Sequence, residues 1–199
     1  MIDIFKNFYK GKRVLVTGHT GFKGAWLSIW LHELGAEVIG IALDPFSERD
    51  NYVLSGIGKK IKADLRGDIR DRELMKEVFA KYQPEIVFHL AAQPLVRLSY
   101  DIPVETYEVN VMGTIHIMEA IRATKSVKVG IMVTTDKCYD NNEQKEGYVE
   151  TSPLGDTIHI VLQRVHVRWL SSPGDAHSSI KQIMARNTLC PSLLFVQVT

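Results

Sequence analysis

Between Gly18 and Gly24 the chain reads Gly-His-Thr-Gly-Phe-Lys-Gly. It follows a β-branched apolar run (RVLVTG, Arg13 to Gly18) and precedes apolar residues at helical spacing (Trp26, Leu27, Ile29, Trp30, Leu31 and Leu34). A glycine-rich turn between a strand and a helix suits a dinucleotide pyrophosphate. Gly18 permits the tight turn, Gly21 lets backbone N–H groups approach the phosphates, and Gly24 lets the helix press on the strand. The helix N-terminus adds unpaired N–H donors and the positive end of its dipole. We therefore expect NAD or NADP to bind here. Asp44 ends the next apolar run, twenty residues past Gly24. There it would accept from ribose hydroxyls and disfavour a 2′-phosphate, the alternative being a polar loop residue beside Pro45. Asp68, in Gly-Asp-Ile-Arg-Asp, is an adenine-side candidate: its carboxylate would accept from the exocyclic amine while Ile69 packs on the ring. Its alternative is a helix N-cap ahead of Arg72.

A second polar cluster, Thr134, Thr135, Asp136 and Lys137, closes the apolar run VKVGIMVT. The carboxyl end of a parallel strand is where such sheets place ligands, although a polar turn would look the same. Arg97 and Tyr100 are candidates for a substrate pocket or for a solvated loop. His89, ending an apolar run, reads as a satisfied core histidine. No HExxH or Cys/His cluster appears, so a metal is not expected.

These groups need a scaffold of alternating strands and helices. Strand patterns occupy Arg13 to Gly18, Glu37 to Leu43, Glu85 to Leu90 and Val127 to Thr134. Helical patterns occupy Phe22 to Leu34, Arg72 to Tyr82 (Leu74, Val78 and Phe79 inward) and Val104 to Thr124 (Val109, Ile115, Ile117, Met118 and Ile121). Continuously apolar strands separated by helices predict an α/β, doubly wound parallel sheet of Rossmann type. From Thr157 to Thr199 neither period holds cleanly, so the sheet should be incomplete on its C-terminal side.

The 199 residues carry 24 Lys plus Arg against 23 Asp plus Glu, a net charge of +1, so no electrostatic excess points to nucleic acid or acidic lipid. Two cysteines, Cys138 and Cys190, cannot build a disulfide framework and suit a reducing cytoplasm. The N-terminus lacks an apolar signal region, and no apolar run is long enough to cross a bilayer; we expect a cytoplasmic protein with no membrane partner.

The spacing GxxGxxG, followed by GDIRD, HLAAQ and VTTDKCY, resembles the extended short-chain dehydrogenase/reductase superfamily. Within it, VTGHTGFKGAWLSIWL, HLAAQPLVRLSY and TTDKCYDN are similar to the CDP-glucose 4,6-dehydratases, over Arg13 to about Gly155. The resemblance implies a lyase acting on a nucleotide sugar in bacterial O-antigen (lipopolysaccharide) or dideoxyhexose biosynthesis, with tightly held NAD and a homodimeric assembly. It implies that Thr20, Phe22 and Lys23 line the pyrophosphate and that Leu90, Ala91 and Ala92 flank the nicotinamide-side ribose. The implied reaction oxidises the sugar at its 4-position, removes the 5-proton and the 6-hydroxyl, and returns the hydride to the 6-position. Thr135 would hydrogen-bond the 4-hydroxyl, Asp136 would protonate the leaving hydroxyl, and Lys137 would remove the 5-proton, which requires a lowered pKa. Many related dehydratases carry Glu in place of Lys137. An epimerase or reductase of the same superfamily would leave Lys137 without a role.

The superfamily also needs a Tyr-x-x-x-Lys pair, in which the tyrosine takes the alcohol proton and the lysine lowers its pKa. None of Tyr9, Tyr52, Tyr82, Tyr100, Tyr107, Tyr139 or Tyr148 has Lys four positions later. Back-translating Asp156 to Val165 and reading from the last base of each codon permits Tyr-Asp-Pro-Tyr-Ser-Ala-Ser-Lys-Gly, which looks like the missing segment. The same frame through Leu189 to Thr199 permits Leu-Ser-Val-Ala-Thr-Val-Arg-Ala-Gly-Asn, again family-like. We read residues 1–155 as a dinucleotide-binding domain and 156–199 as an aberrant, frameshifted tail replacing the catalytic helix, later strands and sugar-binding domain. The alternative is a natural short C-terminus. On the frameshift reading the chain is an inactive remnant, its dimerisation is in doubt, and an apolar run of the tail could pair with the exposed sheet edge.

Overall fold

Apolar β-branched runs punctuated by glycine set the strands here, and the helices that cross between them set their order. The computed structural model describes residues 5–133, Asp140, Gly147, Val149, Ser152, Pro153 and the backbone of Leu193–Val196. Strand β1 (Arg13–Thr17) leads into helix α1 (Phe22–Glu33) and β2 (Glu37–Ala42). A short helix α2 (Asn51–Ser55) and a 3-10 turn (Ile57–Lys59) precede β3 (Ala63–Arg66), α3 (Arg72–Tyr82) and β4 (Ile86–His89). Then come α4 (Val96–Asp101), α5 (Pro103–Tyr107), a π-helical turn (Glu108–Gly113), α6 (Thr114–Ala123), β5 (Val129–Val133) and β6 (Leu193–Val196).

All strand pairs are parallel, in the order β3-β2-β1-β4-β5-β6. The expected doubly wound sheet is therefore present. Its strand order reverses between β1 and β4, which opens a crevice at their carboxyl ends. One core lies on the α3 and α6 face, around Leu15, Ile39, Met75, Phe79, Ile117 and Ile121. The other lies under α1, around Val14, Val16, Ala25, Leu31 and Val38.

Three features depart from the sequence reading, and a fourth answers a possibility it left open. Strand β3 was not expected: its short Ala-Asp-Leu-Arg pattern hides because Asp64 and Arg66 spend their charge on a side-chain network. The helix expected over Val104 to Thr124 is instead two helices joined by the π turn. On α1 the inward face is Gly24, Ala25, Ser28 and Leu31, while Trp26 and Trp30 stay half exposed. Small inward residues let α1 sit close to β1. Finally, the sheet has a sixth strand, drawn from the tail: Gly130 to Val133 of β5 register with Leu193 to Val196. An apolar run of the tail thus pairs with the β5 edge.

Candidate functional site

The crevice is built around the turn after β1. Gly18 has φ +74°, a left-handed conformation that favours glycine, and a Cβ there would meet the Ala91 backbone nitrogen at 2.8 Å. A Cβ at Gly24 would overlap the Gly18 carbonyl oxygen, so that glycine is demanded by packing of helix on turn. Gly21 differs. It is the N-cap of α1 at φ −73°, and a Cβ would meet only the Gly18 carbonyl oxygen at 3.4 Å, an ordinary contact. Nothing in the fold demands glycine at this position. No side chain caps α1, so its first-turn N–H groups face the crevice uncapped. An uncapped helix N-terminus behind a glycine with room above it fits a phosphate group.

The rest of the turn is held from beneath. The Thr20 hydroxyl donates to the Leu43 carbonyl at 3.0 Å, tying the turn to the end of β2. That side chain is nearly buried, so Thr20 serves this tie while Phe22 and Lys23, both exposed, flank the helix N-terminus. His19 is fully buried against Gly40, and its Nε2 lies 2.7 Å from Asp64 Oδ1. Among the described residues its Nδ1 has no partner within hydrogen-bond geometry. Burial pushes the imidazole below its ordinary pKa, although Asp64 pulls the other way.

Where the sequence places the adenosine, Asp44 stands 87% exposed and accepts from Arg66 Nε at 3.0 Å. Asp68 accepts from the Arg70 backbone N–H at 2.8 Å and from Arg70 Nη2 at 2.6 Å. Burial raises the Asp68 carboxyl, but these bonds outweigh it and hold it below its usual value. The N-cap of α3 is Asp71, which accepts from the Leu74 N–H at 3.0 Å, so Asp68 is not engaged in capping. Ile69 points into the core against the place where a Cβ on Gly113 would lie, and its carbonyl accepts from His116 Nδ1 at 3.1 Å.

In the segment after β4, the Leu90 and Ala91 N–H groups both donate to Thr17 Oγ1 at 3.2 Å. With that oxygen accepting, its hydroxyl donates to His89 Nδ1 at 2.7 Å. The imidazole thus carries its proton on Nε2 and donates to Thr114 Oγ1 at 3.0 Å, which donates to the Asn110 carbonyl at 2.7 Å. His89 is the satisfied core histidine expected. The Asn110 side chain, within the π turn, accepts from the Gln93 N–H at 2.8 Å and donates to the Gln93 carbonyl at 3.1 Å. The segment Leu90, Ala91, Ala92 and Gln93 is therefore pinned from both sides. Arg97 and Tyr100 both lie exposed on α4, on a helix instead of a loop.

Thr134, Thr135, Asp136 and Lys137 lie outside the described residues, as do Cys138 and Cys190. Gly18, Asp44, Asp68 and Ala91 do gather at the carboxyl ends of β1 to β4. What sequence reasoning missed is the support: Arg66, His19, Thr17 and Asn110. The alternating charges Asp64 and Arg66 were the available signal. Among the described residues no His, Cys, Asp or Glu group could hold a metal, and no helix is long and apolar enough to cross a membrane.

A model of the family described as GDP-mannose 4,6 dehydratase matches residues 15–157. The chain is 52% identical over 155 residues to a CDP-glucose 4,6-dehydratase of Salmonella typhimurium, covering 78% of this chain and 42% of the relative. It is 34% identical to a CDP-paratose 2-epimerase of Salmonella typhi, over 70% of this chain and 41% of the relative. Among solved structures, a UDP-glucose 4-epimerase of Thermus thermophilus in complex with NAD matches at 29% identity with a TM-score of 0.70, covering 80% of this chain and 50% of that one. The chain spans less than half the length of the curated relatives it matches.

Proposed function

The chain belongs to the GDP-mannose 4,6 dehydratase family of extended short-chain dehydrogenase/reductases, and from that premise we propose that it derives from an NAD-dependent lyase converting CDP-glucose to CDP-4-keto-6-deoxyglucose. The observation that carries the cofactor reading is Gly21, a glycine that packing does not demand, at the N-cap of a helix with no side-chain cap, which leaves room for a phosphate to approach. The sugar nucleotide rests on the 52% identity to a CDP-glucose 4,6-dehydratase and on Lys137 in TTDKCYDN. On this reading the protein works in the cytoplasm on O-antigen sugars, and its parent enzyme is a homodimer.

A bound nicotinamide dinucleotide supplies a hydride acceptor that is regenerated within one turnover. This chain's residues would supply the binding groups and the later proton transfers, while the acceptor of the 4-hydroxyl proton, the tyrosine of a Tyr-x-x-x-Lys pair, is not among them. The N–H groups of Phe22, Lys23 and Gly24 hold the pyrophosphate, Asp44 holds the adenosine ribose, and Asp68 takes the exocyclic amine. The segment Leu90 to Ala92, fixed by Thr17, orients the second ribose. Thr135 hydrogen-bonds the 4-hydroxyl, Asp136 donates the proton to the departing hydroxyl, and Lys137 takes the 5-proton.

The second reading is a dinucleotide-binding remnant without turnover, favoured by the absence of any Tyr-x-x-x-Lys pair. We place the loss at a frameshift near Asp156. The family model matches residues 15–157. Two measurements test these readings. Purified chain is titrated with NAD and followed by thermal unfolding, which should show stabilisation that rises with ligand. The same protein is incubated with CDP-glucose and NAD, and the 4-keto product is sought by its ultraviolet absorbance in base. Stabilisation without product supports the remnant, product well above background overturns it, and no stabilisation overturns the cofactor reading. Sequencing the gene tests the frameshift, which an unbroken frame relative to intact relatives would overturn.

A further inference from the structure

We infer that Arg66 is the residue that sets this site's choice between NAD and NADP, acting as a fixed cation whose one ligand-facing anion is Asp44. The inference rests on the dinucleotide reading and on Asp44 as the ribose acceptor. The guanidinium is immobilised from behind. Its Nη1 donates to Asp64 Oδ1 at 2.5 Å and to the Leu65 carbonyl at 3.3 Å. Its Nη2 donates to the Tyr52 hydroxyl oxygen at 2.9 Å and to Asp64 Oδ2 at 3.4 Å. Asp64 is itself gripped by the Tyr52 hydroxyl at 2.5 Å and by His19 at 2.7 Å. The guanidinium also lies over the Tyr52 ring, 5.4 Å from its centre. Only Nε remains, and it meets Asp44 at 3.0 Å.

Asp44 thus does two things with one carboxylate. It neutralises the outward edge of Arg66, and it presents an anion where a ribose 2′-oxygen would lie. A 2′-hydroxyl can donate to that carboxylate, whereas a 2′-phosphate meets like charge. Removing Asp44 reverses the position. Arg66 cannot swing away, because Asp64 and Tyr52 still hold it, so its Nε–H is left without an acceptor beside the ribose. The anion that fills that place can come from the ligand, as a 2′-phosphate. The same logic gives Arg66 a role with NAD, since it holds Asp44 in one orientation instead of leaving an 87% exposed side chain to rotate.

The test compares dissociation constants of NAD, NADP and 2′,5′-ADP for the full chain and for Asp44→Ser, Arg66→Leu and the double variant. The unaltered chain should bind NAD more tightly than NADP. Asp44→Ser, at an exposed position, should weaken NAD and tighten NADP and 2′,5′-ADP by about tenfold or more, the worth of one hydrogen bond to a charged group. The double variant should lose the NADP gain. Arg66→Lys on the Asp44→Ser background covers the case in which Arg66→Leu does not fold: it keeps the charge and loses the fork, so the gain should shrink. An Asp44→Ser chain with an unchanged NAD-to-NADP ratio, or a double variant or Arg66→Lys variant that keeps the full gain, overturns the role of Arg66 and leaves the dinucleotide reading standing. Failure of every form to bind any dinucleotide overturns both.

Discussion

Two glycines three positions apart do different work. At Gly24 a Cβ would overlap the Gly18 carbonyl, so Gly24→Ala should cost about 1–3 kcal/mol through displaced helix–turn packing, read as a lowered urea midpoint. Gly21→Ala should leave that midpoint almost unchanged, because its φ is ordinary and its Cβ finds only a 3.4 Å contact. It should instead weaken NAD by about tenfold or more, since the methyl group stands where the phosphates approach. Equal loss of stability in the two variants would contradict this division. The sequence could pose the distinction but not decide it, because spacing alone makes both glycines part of one motif. His19 gives a pH signature. Burial holds its folded-state pKa below the ordinary 6.5, so the unfolded chain takes up a proton first as pH falls. Its neutral form therefore favours folding fully above 6.5, and that advantage drains away below it. Urea midpoints measured from about pH 7.5 to 5 should fall less steeply for His19→Gln than for the unaltered chain. Parallel slopes would mean that the fold does not shift His19, and a steeper fall for His19→Gln would mean that the fold favours its protonated form. The drop from Asp64, whose carboxyl is held below its usual value by Arg66, Tyr52 and His19, comes in a lower pH range than that of His19.

At the scale of elements, the strands with continuous apolar character were legible and the short polar one was not. β1, β2, β4 and β5 have buried, β-branched cores that announce themselves. β3 alternates Asp64 and Arg66 with Ala63 and Leu65, and its charged face is satisfied by His19 and Tyr52 instead of solvent, which no local pattern reveals. The π turn was equally invisible, because the apolar spacing from Val104 to Ile121 suits one unbroken helix. Its structural yield is Asn110, whose side chain brackets Gln93 as a neighbouring strand would. Asn110 is buried, so Asn110→Ala would leave the Gln93 N–H without its acceptor, at a cost of about 1–3 kcal/mol. Hydrogen exchange should show the Gln93 amide losing protection selectively. An unchanged Gln93 amide in that variant would mean that the segment after β4 is held by other contacts. Because π turns cluster at functional sites, we expect NAD affinity to fall together with that protection.

On the proposed reading, the whole molecule joins a family-typical sheet to a tail of another character. Residues 15–157 follow the family, and the described backbone of Leu193–Val196 then completes the β5 edge. An apolar four-residue run is enough for that, since parallel pairing on an edge asks for extended backbone and little sequence detail. Catalysis asks for more. The family's proton relay needs a tyrosine and a lysine one helical turn apart, and no tyrosine in this chain has that partner. Edge pairing and chemistry should therefore separate. On the frameshift reading, restoring the frame from Asp156 gives Tyr-Asp-Pro-Tyr-Ser-Ala-Ser-Lys-Gly, which the codons permit, while leaving the phosphate turn, Asp44 and the Leu90 to Ala92 segment untouched. NAD affinity of the restored protein should stay within about threefold of the present chain, a difference of less than 1 kcal/mol. Turnover of CDP-glucose should rise by at least the factor of roughly 10²–10⁴ that a positioned acid–base group supplies. Changing the restored tyrosine to phenylalanine should remove that gain and spare NAD binding. If instead the restored protein stayed inactive with CDP-glucose while holding NAD, the missing relay would not be what separates this chain from its relatives, and the sugar nucleotide would have to be sought elsewhere in the family.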